Sequence, residues 1–179
     1  LDASGQPVPV YAAGLGAAGA AAAGQIADGA LVVVRQTRRE NEFTGEVVEA
    51  QERFAVPIAG RLTQLVFDRA QRTLFGADAD GNLRRWTLSE SGPAASETVA
   101  AGPAVTALSL LLGGRSLVVG QADGRLSVWF SAPQADGQSR LTRIRDFPRL
   151  PAPIAAIAPS QRDKGFLAAD AGGELGLYY

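Results

Sequence analysis

Gly14-Leu15-Gly16-Ala17-Ala18-Gly19 fits the pattern G-x-G-x-x-G letter for letter. In a dinucleotide-binding turn such glycines let a pyrophosphate approach the backbone at a helix N-terminus. The apolar runs Val8 to Tyr11 and Leu31 to Val34 flank the motif, and the Ala-rich residues between them could form the helix. The second run ends in Val34-Arg35-Gln36, however, without the acid that would hold a ribose, and no further strand–helix units follow. Asp78-Ala79-Asp80-Gly81-Asn82 begins like a calcium loop, but Leu83 and Ser89 stand where an EF-hand needs Gly and Glu. A hairpin turn accounts for it. Arg84-Arg85 with Arg143, Arg145 and Arg149 could hold an anion, and Arg38 to Glu42 with Glu46, Glu49 and Glu52 could form a charged binding face. Solvated edge strands account for both sets. We therefore expect no catalytic residue, no cofactor site and no metal site.

The 179 residues contain neither Cys nor His, which removes thiolate nucleophiles, the usual zinc ligand sets and His-based acid–base catalysis. A net charge of −1 argues against non-specific nucleic-acid binding. Among the 17 basic residues only Lys164 is Lys, which with the many Ala and Gly is the composition of a GC-rich, bacterial genome. No run of apolar residues is long enough to span a bilayer as a helix. The chain begins without Met and stops in a strand-like Leu177-Tyr178-Tyr179, so we expect a piece of something longer.

Whatever these residues do, a repeat positions them. Arg61 to Trp86 aligns without a gap on Ala104 to Trp129. Thr63 meets Thr106, Leu65 meets Leu108, Leu74 meets Leu117, Asp80-Gly81 meets Asp123-Gly124, and Trp86 meets Trp129. A third copy follows, in which Ile154 meets Val105, Gly173 meets Gly124 and Tyr178 meets Trp129. Each copy reads as three short strands. The first and third alternate with period two, and Asp-Gly marks the tight hairpin between second and third. Thr44 to Phe54, Ser96 to Ala100 and Leu141 to Phe147 are candidate fourth, outer strands. The opening stretch obeys the same ruler: Asp28-Gly29 meets Asp80-Gly81, and Val34 meets Trp86. The glycine motif then falls across the turn between the first two strands of a worn first copy. If residues 17 to 26 were helical, this reading would be wrong.

Four-stranded units every 40 to 50 residues, each ending in an aromatic after Asp-Gly, are a propeller-blade signature. A small twisted sheet cannot bury both faces alone, but a stack of them around an axis can. The Asp-Gly, Leu and terminal aromatic positions resemble WD40-like β-propeller repeats. Gly-His pairs are missing and Thr87, Phe130 and Tyr179 follow the aromatics, so the Asp–His–Ser/Thr–Trp network of strict WD40 blades is absent. The expected fold is all-β: about four blades of three to four antiparallel strands (8–54, 61–100, 104–149 and 153–179), forming an open arc or part of a larger ring. Its structural residues are Asp28, Gly29, Asp80, Gly81, Trp86, Asp123, Gly124, Trp129, Gly173 and Tyr178.

Phe147-Pro148-Arg149-Leu150-Pro151-Ala152-Pro153-Ile154 and Asp170 to Tyr179 are similar to the extracytoplasmic insert of an enlarged bacterial phosphate ABC transporter permease. The resemblance implies a non-catalytic propeller domain on the periplasmic face of the inner membrane. It would dock a phosphate-binding protein or sense a ligand beside the transporter's own membrane subunits. A freestanding bacterial scaffold that binds protein, and a propeller enzyme with its active residues in other blades, are the alternatives. Open strand edges could also pair two copies into a dimer.

Overall fold

The computed structural model describes residues 11–16, 19–25, 30–41, 43–58, 60–89 and 92–179. Those residues form strands and turns only, and no helix among them is long and apolar enough to cross a membrane. The first blade is β1 (Tyr11–Gly16), β2 (Gly19–Gln25), β3 (Ala30–Glu40) and β4 (Val47–Pro57). The second is β5 (Leu62–Phe67), β6 (Thr73–Asp78), β7 (Asn82–Ser89) and β8 (Gly92–Ala100). The third is β9 (Val105–Leu110), β10 (Ser116–Gln121), β11 (Leu126–Pro133) and β12 (Ser139–Phe147). The last has three strands, β13 (Ile154–Pro159), β14 (Phe166–Asp170) and β15 (Leu175–Tyr178). Each blade is an antiparallel meander in chain order, and the innermost strands β1, β5, β9 and β13 pack successively against one another in an arc.

The alignment of repeats is also the alignment of registers. Leu74 pairs with Trp86, Leu117 with Trp129, and Phe166 with Tyr178. The worn first blade obeys it too, with Ala22 opposite Val34. Of the glycine motif, Gly14 to Gly16 therefore lie on β1 and Gly19 starts β2, with Ala17 and Ala18 outside the described residues, and Gly19–Gln25 is a strand where a dinucleotide turn would need a helix. Asp28 and Gly29 lie outside the described residues. The outer strands differ from expectation at their ends. β4 starts at Val47 rather than at Thr44, because Asn41 Oδ1 accepts the amides of Phe43 and Thr44 and Gly45 takes φ +66°, which keeps those residues in the turn. β8 and β12 begin earlier than expected because β7 and β11 continue past the aromatic and pair with them to Ser89 and Pro133.

The core is three slabs, one between each pair of blades. Ala21, Ala23, Leu31 and Val33 of the first blade receive Leu62, Phe67, Leu74 and Trp86 of the second. Phe75, Ala77 and Leu83 receive Val105, Leu117, Val119 and Trp129. Ala107, Val118, Leu126 and Val128 receive Ile154, Phe166, Ala168 and Tyr178. The aromatic of each blade thus packs against the blade before it. A buried ring of this size contributes about 3 kcal/mol by removal of apolar surface from water. Two glycines make room for the packing. A Cβ on Gly76 would press on the Trp86 ring, and one on Gly120 would overlap Ile154 of the next blade.

Candidate functional site

The Asp-Gly hairpins turn out to be latches between blades. Gly81, Gly124 and Gly173 all take φ between +81° and +89°, a region that side chains avoid. The carbonyl of Gly81 accepts the amide of Ala101 at 2.8 Å, and that of Gly124 accepts Leu150 at 3.0 Å. Each hairpin therefore clasps the link that leads to the next blade. A Cβ on Gly81 would overlap the carbonyl of Gly102, and one on Gly124 that of Leu150, whereas one on Gly173 meets nothing.

The acid that organises these turns lies two residues before the expected one. Asp78 is buried, and its Oδ1 accepts the amides of Asp80 and Asn82, while Oδ2 takes the Asn82 side chain and Arg84. Asp170 does the same for Gly172 and Glu174, and its Oδ2 accepts the amide of Ala152. The equivalent Gln121 donates to the carbonyls of Ala101 and Pro103. Burial pushes the Asp78 carboxyl upward, but the Asn82 backbone and side-chain hydrogen bonds and Arg84 outweigh it and hold it below the usual carboxylate range. Both Asp78 oxygens face N–H donors, and the described residues contain no group of three or more metal-binding side chains. Asp80 is exposed, and Asp123 pairs only with Arg125, at 3.1 Å. Residue alternation could not separate Asp78 from Asp80. Their shared offset to Gln121 and Asp170 was the available signal.

Arg84 and Arg85 are not exposed edge charges. Arg85 reaches from β7 into the third blade, donating to Ser131 Oγ and to the Ser139 carbonyl, both at 2.6 Å, and pairing with Glu97 at 2.8 Å. Glu97 Oε1 in turn accepts the amide of Leu141. This groove of about 360 Å³ is a charged clamp between outer strands, with its charges turned on one another. Arg143, Arg145 and Arg149 are exposed on or just after β12, with Arg143 on Asp146 and Arg145 over the Phe147 ring. They do not gather around one point with Arg84 and Arg85.

A second concave surface is a cup of about 330 Å³ where the first-to-second-strand turns of three blades meet. Phe67, Leu110 and Pro159 occupy equivalent repeat positions at the ends of β5, β9 and β13, and all three line it. The turns are fixed locally. Asp68 Oδ1 accepts the amides of Arg72 and Thr73, and Ser160 Oγ those of Arg162 and Asp163. Between them Gly113 and Gly114 take φ +95° and +66° and lift Leu112 into solvent beside the exposed Arg69. An apolar floor with one exposed leucine and a cation at the rim suits an apolar side chain flanked by acid.

The last blade presents a second surface. Its equivalents in the third blade, Val118, Leu126 and Val128, are 0%, 1% and 5% exposed under the last blade. On the last blade itself Leu167, Leu175 and Leu177 are 47%, 70% and 58% exposed. On the opposite face Tyr178 stacks on Phe166, 5.1 Å between centroids, and donates to the Pro148 carbonyl. Burial, with Glu174 nearby, pushes its phenol above the ordinary value.

Stacked antiparallel blades with aromatic slabs between them define a four-blade stretch of a β-propeller. Among solved structures the chain is similar to the Dos1 propeller, with a TM-score of 0.63 and 14% identity over 94% of this chain. It spans 40% of that structure's length, and the likeness is one of fold alone. No protein-family model matches the chain, and no curated protein does.

Proposed function

We propose that this propeller stretch is a non-catalytic binding module, and that its cup is where a partner protein docks. The observation that carries this reading is the convergence of three repeat-equivalent turns on one apolar cup, with Leu112 raised at its rim beside Arg69. In more specific terms, we propose that the module belongs to a phosphate ABC transporter permease, faces the periplasm at the inner membrane, and docks a phosphate-binding protein. The similarity of residues 147–154 and 170–179 to the extracytoplasmic insert of such permeases supports that assignment. Isothermal titration of the chain with the organism's phosphate-binding protein, and separately with inorganic phosphate, tests it. Saturable heat with the protein, abolished by Leu112→Glu, is expected. Heat with phosphate alone would favour direct sensing over docking, and heat with neither would remove both roles.

A further inference from the structure

The hairpin between the third and fourth strands of the first blade outgrows its sheet. β2 pairs with β3 as far as Ala21 opposite Arg35, whereas β3 and β4 continue for five more pairs, from Gln36–Gln51 to Glu40–Val47. At about 3.4 Å per residue that is roughly 17 Å of two-stranded ribbon. The equivalent ribbons are shorter: two pairs in the second blade (Leu88–Pro93 and Ser89–Gly92) and three in the third (Ser131–Leu141 to Pro133–Ser139). The long arm ends in a fixed turn. Asn41 Oδ1 accepts the amides of Phe43 and Thr44, the Asn41 carbonyl accepts the amide of Gly45 at 2.8 Å, and the Asn41 amide donates to the Glu46 carbonyl at 2.8 Å. That turn holds Phe43 97% exposed. The tip sequence Glu40-Asn41-Glu42-Phe43-Thr44-Gly45-Glu46 has three acids and no base, and Glu46 and Glu49 are exposed. Arg38 and Arg39 stand further back, opposite Glu49 and Val48. An aromatic ring on a preorganised turn is the kind of anchor that carries much of the binding energy at an interface.

The cup has the opposite character. Phe67, Leu110, Leu111 and Pro159 line it, and Leu112 stands 43% exposed at its rim. Its three turns carry five exposed cations, Arg69, Arg72, Arg115, Arg162 and Lys164, none with an ion-pair partner among the described residues. The two acids of those turns hold backbone amides: Asp68 Oδ1 those of Arg72 and Thr73, and Asp163 Oδ1 that of Gly165 at 2.8 Å. In an antiparallel meander the first-to-second and third-to-fourth turns lie at the same end of the strands, so arm and cup open toward one side of the molecule.

We infer that two copies of this chain exchange arms: Phe43 of each seats in the cup of the other, with its flanking acids against the rim cations. The inference rests on the reading of the cup as a docking site, and it makes the chain itself an occupant that any other partner must displace. Because arm and cup share one side, both contacts form together about a two-fold axis.

Sedimentation velocity across a dilution series tests this on the chain alone. The wild type is expected to form a dimer that weakens as salt screens the rim. Phe43→Ser and Leu112→Glu should each weaken dimerisation roughly 100-fold, the scale of a lost interface hot spot. An equimolar mixture of the two should recover part of it, since one copy keeps its cup and the other its arm. Glu46→Arg or Arg69→Glu alone should weaken it roughly fivefold, and the two in one chain should restore it. Phe43, Glu46, Arg69 and Leu112 are all exposed in the single copy, and unchanged circular dichroism and thermal melting serve as the folding control. A monomeric wild type overturns the inference, as does a dimer indifferent to Phe43→Ser, and as does growth beyond two copies. Titration of the Phe43→Ser chain, whose cup is intact, with the phosphate-binding protein separates the two readings. Heat there, with a monomeric wild type, leaves partner docking standing and strikes the exchange. No heat there, with a dimer broken by Phe43→Ser, does the reverse.

Discussion

The first and third blades share one register and differ in what they put into it. Opposite Leu117 the third blade places Trp129, and opposite Ala22 the first blade places Val34. Trp129 is buried against Phe75 and Leu83 of the blade before it, whereas Val34 has no described blade before it. Where a blade precedes the unit, the terminal aromatic is buried against it. Tyr178 confirms the rule from the other end: its own blade is short of an outer strand, yet it has a blade behind it and keeps its ring.

The largest effect that would break this comparison is removal of the ring itself. Trp129→Ala should cost about 4 kcal/mol in urea-unfolding free energy, while Val34→Ala costs about 0.5 kcal/mol. Equal losses at the two positions would show that the blade, not the interface, needs the bulk. Next come the latches. Gly124→Ala must fight both its φ of +83° and the Leu150 carbonyl, and should cost about 3 kcal/mol. Gly173→Ala has the same backbone problem but open space, and should cost about 1 kcal/mol. Thermal melts of the pair would sharpen how much of a latch is turn and how much is clasped link. Between the two latches in size is Asp78→Ala, about 2 kcal/mol, because it strands the amides of Asp80 and Asn82. The sign of its pH dependence is fixed by the lowered carboxyl. A group whose folded pKa lies below its unfolded value of about 3.9 contributes its stability above that pH and loses it as the pH falls through the folded value. The gap between wild type and Asp78→Ala should therefore be full at neutral pH and shrink below about pH 4. A gap independent of pH would mean that the ionised form has no special role.

The register was legible because it is written at fixed offsets. Leu74 with Trp86 and Leu117 with Trp129 repeat both the residue types and the spacing that sets cross-strand partners. The hairpin turns at Asp80-Gly81, Asp123-Gly124 and Gly172-Gly173 were legible for the same reason, since Gly81, Gly124 and Gly173 each take positive φ. Burial of polar groups was not. Arg85 has the look of an edge-strand charge until the third blade is brought alongside and Ser131, Ser139 and Leu141 come within reach of it and Glu97. Asp78 and Asp80 are alike in composition and differ only in where the chain turns around them. The cup escaped notice because Phe67, Leu110 and Pro159 are chemically unlike one another. Their equivalence is positional, and they meet only once three blades curve about one axis.

The clasp of each link by the preceding hairpin bears on how such chains can be lengthened. The hydrogen bonds from Ala101 to Gly81 and from Leu150 to Gly124 join a blade to the start of its successor, so the transferable cassette is a blade together with its exit link. A duplication of residues 104–152 inserted after residue 152 would carry its own turn, its own link and its own aromatic. The leucine and valine face of one copy would meet the Val105, Leu117 and Trp129 face of the next. Growth by whole cassettes keeps every latch paired, whereas a cut at the Asp-Gly turn would leave one link unheld and one ring without a wall.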